Sequence, residues 1–120
     1  MAQSVSRLIQ DDGDAIDYTP SGEVTGGNIV VVNSVPMLAM KDIGANKLGS
    51  LRTAGVWEIP KATGAVDALA AVYWDENGSP VTGDALSGAA TTTESGNLYL
   101  GLAAAAALAG GDTVKVIRII

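Results

Sequence analysis

Apolar residues in this chain fall in short runs separated by Gly, Asn, Asp, Ser and Pro, a pattern that predicts strands and turns rather than helices. The clearest run is Asn28-Ile29-Val30-Val31-Val32, launched by Gly26-Gly27. A second, Thr113-Val114-Lys115-Val116, is launched by Gly110-Gly111-Asp112. In both, glycine supplies φ > 0 for a turn, and β-branched residues suit the pleated strand that follows. Further strands are predicted over Ala15–Thr19, Val35–Met40, Leu51–Ile59, Ala71–Trp74 and Leu98–Leu102. Asn33-Ser34 predicts a hairpin between two of them, and Pro36 pushes the second toward a sheet edge. Asn77-Gly78 is a hairpin signal, whereas residues 82–96 read as a loop or a weak, exposed hairpin.

Two segments are less clear. Lys61–Ala70 can form a single short helical turn. Ala103–Ala107 has high helix propensity, but it follows Leu98–Leu102 and ends in Gly110-Gly111 before a strong strand. Extension is favoured, with Leu98–Ala107 paired to Thr113–Ile119 across a glycine turn at φ > 0. The expected fold is all-β: a compact single-domain β-barrel or sandwich of short antiparallel strands, with at most one short helix. Residues 15–120 form that domain, and residues 1–14 form a flexible N-terminal arm.

Composition narrows the chemistry. The 120 residues carry 48% hydrophobic but 4% aromatic residues and no Phe, so Ala, Val, Leu and Ile must fill the core. The net charge of −6 and the scatter of seven Lys and Arg argue against nucleic acid as a partner. The absence of Cys excludes disulfides and thiolate chemistry. The absence of His removes the commonest general base and most zinc sites. Asp11–Asp14 and Asp75–Ser79 fail the calcium-loop pattern, because Asp17 and Pro80 stand where its glycine belongs. Glu58 and Asp75, beside Trp57 and Trp74, are the candidate carboxylates for glycosidase chemistry, and nothing in the sequence brings them together. No phosphate-binding fingerprint occurs. No catalytic, cofactor or metal residue is therefore assigned, and no enzyme activity or membrane contact is expected.

The phrases Val56-Trp57-Glu58-Ile59-Pro60-Lys61-Ala62 and Ala71-Val72-Tyr73-Trp74-Asp75 carry a resemblance to a family of small tailed-phage proteins. Its characterised members are capsid decoration, or cement, proteins. Leu100-Gly101-Leu102-Ala103-Ala104 and Thr113-Val114-Lys115-Val116 are similar to the family's closing strands. One departure is Leu69-Ala70, where the family usually has Gly-Asp. The resemblance implies a virion structural protein, made in the host cytoplasm, that binds the outer capsid surface and clamps neighbouring major capsid subunits. It suggests a homotrimer, with a dimer as the competing state. Arg7, Leu8 and Ile9 of the arm are the expected capsid contacts. The alternatives are another virion part, such as a head-completion or tail accessory protein, and a small carbohydrate-binding module. The last requires at least two of Trp57, Trp74 and Tyr99 to be exposed.

Overall fold

A computed structural model describes residues 4, 6, 7 and 13–118. Among the described residues nine strands form: β1 (Ala15–Tyr18), β2 (Ile29–Val32), β3 (Val35–Ala39), β4 (Gly49–Arg52), β5 (Gly55–Pro60), β6 (Ala71–Asp75), β7 (Ala89–Thr91), β8 (Leu98–Ala103) and β9 (Thr113–Arg118). The described residues contain no helix. All ladders are antiparallel, in one sheet of order β1-β4-β3-β2 and another of order β5-β9-β8-β6-β7. The expected all-β single domain is what forms.

The chain builds the same sheet twice. Strands β1, β4, β3 and β2 take the same order and pairing as β5, β9, β8 and β6. The connections also match. Val24 and Ile43 exchange both backbone hydrogen bonds at 2.9 Å, and Val66 and Ala107 do the same at 2.9 and 2.8 Å. Gly27 N–H donates to Ala39 O and Ala39 N–H to Asn28 O; Leu69 N–H donates to Ala103 O and Ala103 N–H to Ala70 O. Each bridge residue leads into a tight turn, closed by Asn28, Lys47, Ala70 and Gly111 donating to Thr25, Gly44, Asp67 and Leu108. The second half differs by the long insertion between β6 and β8 that carries β7. A parallel bridge between Lys61 and Ala90 of β7 then joins the edges of the second sheet, which curls toward a barrel. The first sheet has no counterpart of β7.

Each half has its own core. Met37, Ala39, Ile43 and Leu51 form the first, with Tyr18, Val24, Val30, Val32 and Val35 partly buried against it. The second contains Trp57, Ile59, Val66, Val72, Trp74, Leu100, Ala103, Val114 and Val116. Strand alternation turns Ile29, Val31 and Leu38 the other way, and these pack against the second core. The first half thus seats the outer face of its sheet on the second half.

Several expectations need correction. Leu51–Ile59 is not one strand: Gly55, at φ 124, breaks it into β4 and β5, which belong to different sheets. Pro36 lies in an interior strand, tolerated because β3 meets β4 only at Leu38 and Ala39. Its missing N–H therefore costs no ladder bond on that side. No helical turn forms over Lys61–Ala70. The segment runs through the Val66 bridge into a turn where Leu69 takes φ 64, the left-handed conformation that glycine would hold more cheaply at the position of the family's Gly.

Extension from Leu98 stops at Ala103; Leu102 and Ala103 pair with β9, and Ala104 N–H adds one bond to Lys115 O at 2.7 Å. Ala104–Ala106 bend away so that Ala107 can reach Val66. Gly110 and Gly111 do not adopt positive φ. Part of the segment read as a loop or weak hairpin forms β7, whose Ala89 and Ala90 are fully buried. The two glycine phrases launch β2 and β9, which are not equivalent strands in the duplication. Their likeness is turn chemistry, not repeat structure.

Candidate functional site

Two buried cations hold the scaffold. Arg118 ends β9 at 2% exposure. Its Nε donates to Thr53 O at 3.1 Å, and its Nη1 to Leu100 O at 2.7 Å and Tyr99 O at 3.2 Å. The guanidinium also lies 5.2 Å from the Trp57 ring centroid, within cation–π range. Burial lowers its pKa from the ordinary value. Thr53 lies between β4 and β5, so this one side chain ties the two halves together. Thr53 N–H in turn donates to Asp14 O at 2.7 Å, and its hydroxyl to Gly13 O. The chain entering β1 is held at the same joint.

Lys61 is the second cation, at 1% exposure. Its Nζ donates to Leu108 O at 3.0 Å and Ala109 O at 3.1 Å, fixing the Ala-rich connection before β9. In the sequence Lys61 stands only at the start of a possible helical turn and within a family phrase, and neither marks it as buried. Arg118 carried a signal that could have found it. It continues the inward positions of β9 after Val114 and Val116, where a charge must find partners.

The surface carries the features that could bind. Val56, Ile117, Leu102 and Ala71 are register neighbours in one row across β5, β9, β8 and β6. Val56 is 64% and Leu102 40% exposed, whereas Ile117 and Ala71 are partly buried. Beside the row, Tyr73 and Tyr99 pair edge to face at 5.7 Å between centroids. Tyr99 is 52% exposed. The Tyr73 pKa is raised, by desolvation first and then by the nearby charge of Glu94. A contiguous apolar face of this kind marks an interaction surface. Among the described residues, no group of three or more acidic, His or Cys side chains gathers as a metal site.

The residues singled out in the sequence separate. Trp57 and Trp74 are buried, so of the three aromatic platforms a carbohydrate module would need, only Tyr99 is open. The Asp75 carboxylate caps its own turn by accepting from Asn77 N–H at 3.1 Å. Arg7 is exposed, and Leu8 and Ile9 lie outside the described residues.

Comparison with known proteins adds one positive finding. No curated protein matches the chain, and no solved structure does. A family described as phage cement protein matches residues 9–118, which include every strand. With that span covering both halves and the joint between them, the chain belongs to the phage cement protein family, whose role is structural and capsid-associated.

Proposed function

We propose that this protein binds the outer surface of an assembled phage head and clamps neighbouring major capsid subunits, acting as a homo-oligomer, most simply a trimer. The observation that carries this reading is the family match over residues 9–118. The exposed apolar face supports a binding role. A ligand that binds the assembled shell and not loose subunits stabilises the shell by mass action. Many copies act together, so each contact can be weak. The protein is made in the host cytoplasm and meets neither nucleic acid nor membrane in this role.

Counting copies per virion tests it. Decoration requires a copy number that scales with the capsid protein. A ring of about six or twelve copies would instead make this a head-completion or tail part.

The arm, residues 1–14, supplies part of the clamp, with Arg7 pairing an acidic group and Leu8 and Ile9 filling a shallow groove. Ordering such a segment opposes binding, so the net gain per arm is modest and repetition makes it count. Deleting residues 2–10 should leave the fold intact and weaken binding to heads. Undiminished binding by the folded, truncated protein would remove the arm from the clamp.

A further inference from the structure

The duplication leaves two surfaces without the partners that their counterparts have. Within the chain, the outer face of the first half packs on the second core through Ile29, Val31 and Leu38. Leu38 borders a groove with Trp57, and Ile29 and Val31 border grooves with Trp74. The contact has two sides, and each side exists once more elsewhere in the molecule.

The matching outer face of the second half is the row Ala71, Leu102, Ile117 and Val56 with Tyr73 and Tyr99. Ala71 and Leu102 pair across β6 and β8 as Ile29 and Leu38 pair across β2 and β3. That face is open: Val56, Tyr99 and Leu102 are each at least 40% exposed. The matching receiver is the first core. Ile16 sits opposite Leu51 as Trp57 sits opposite Val116, so Ile16 takes the place of Trp57. Val32, last in β2, takes the place of Trp74. Ile16 is 43% exposed, and Val32 and Val35 are only partly buried. The second core has a lid, supplied by the first half, and the first core has none within the described residues.

We infer that copies of this chain associate head to tail, the β6-β8-β9-β5 outer face of one copy seating on the Ile16–Val32–Val35 end of the next. The occupant is a second copy because the chain already makes this contact once internally, between surfaces of the same kind. Such a contact is heterologous: surface A meets surface B, never itself. Three copies closing on themselves would place six similar half-units around one axis. This deepens the proposed oligomer and rests on it.

The chain has no cysteine, so single introduced thiols report cleanly. Ile16→Cys and Leu102→Cys both change exposed positions. Each variant is oxidised alone and in an equal mixture, free and on phage heads, with the mass of the unlinked protein followed by light scattering. The expected result is an oligomer that cross-links only in the mixture, giving a dimer that contains one copy of each variant. Leu102→Cys linking to itself would show a two-fold contact and overturn the head-to-tail arrangement while leaving an oligomer. An oligomer without cross-links overturns it too. Mixed links that appear only after deletion of residues 2–12 would assign the receiving end to the chain's own N-terminal segment, again overturning the inference. A monomer both free and on heads would remove the oligomer itself.

Discussion

Gly101→Ala should prevent folding or cost more than about 4 kcal/mol, whereas Gly110→Ala should change stability by less than about 0.5 kcal/mol. The two glycines look alike in sequence, each flanked by apolar or small residues. At Gly101 an added Cβ would sit 2.1 Å from the Ile117 carbonyl oxygen and 3.0 Å from a Val116 methyl. The obstruction is backbone, so relief requires β8 and β9 to separate beside their short ladder at Leu102 and Ala103. A glycine inside a strand commonly marks such a close approach. At Gly110 a Cβ would meet open space, and the backbone is not in the left-handed region. Urea unfolding of both variants checks the contrast; equal midpoints would mean that β8 and β9 do not lie this close.

Replacing Arg118 with Met should cost about 3 kcal/mol or more, despite keeping an unbranched apolar stem. Three hydrogen bonds from a charged donor disappear, each worth more than a neutral one. The carbonyls of Thr53, Tyr99 and Leu100 lose their side-chain donor at a buried joint, and Trp57 loses its cation. For a chain of this size the expected fall in Tm exceeds about 6 °C. Lysine is a poor rescue, because one ammonium cannot reproduce the fork that spans Thr53 and Leu100. A Tm within about 1 °C of the parent would show that Arg118 does not join the halves.

These two residues show which parts of the structure the sequence makes legible. Strands β2, β3, β6, β8 and β9 could be read because β-branched or alternating runs end in recognisable turns, such as Asn33-Ser34 at φ 52 and 66. The division into sheets could not. It depends on Gly55, a lone glycine inside an otherwise strand-like stretch. β7 was obscured because alanine and threonine become strand-like only when β6 and Lys61 pair with them.

The duplication is invisible for a related reason. Equivalent positions keep geometry rather than identity: Gly27 matches Leu69, Ile43 matches Ala107, and Ile16 matches Trp57. Each pair satisfies the same turn or the same inward position with a different side chain. The interaction face was hidden likewise, since Val56, Ile117 and Leu102 come from three strands that only register brings together. The family phrases proved to be scaffold: Lys61 and Trp74 are buried, and Tyr73 is braced against Tyr99.

The central claim concerns binding to an assembled shell. The most direct measurement is a titration of the purified protein onto undecorated phage heads and, separately, onto unassembled major capsid protein, followed by sedimentation and by the temperature at which the heads release DNA. Saturable binding to heads alone, with release moved to higher temperature as sites fill, is the expected result. Equal binding to free subunits, or full occupancy with no change in the release temperature, would contradict a cement function.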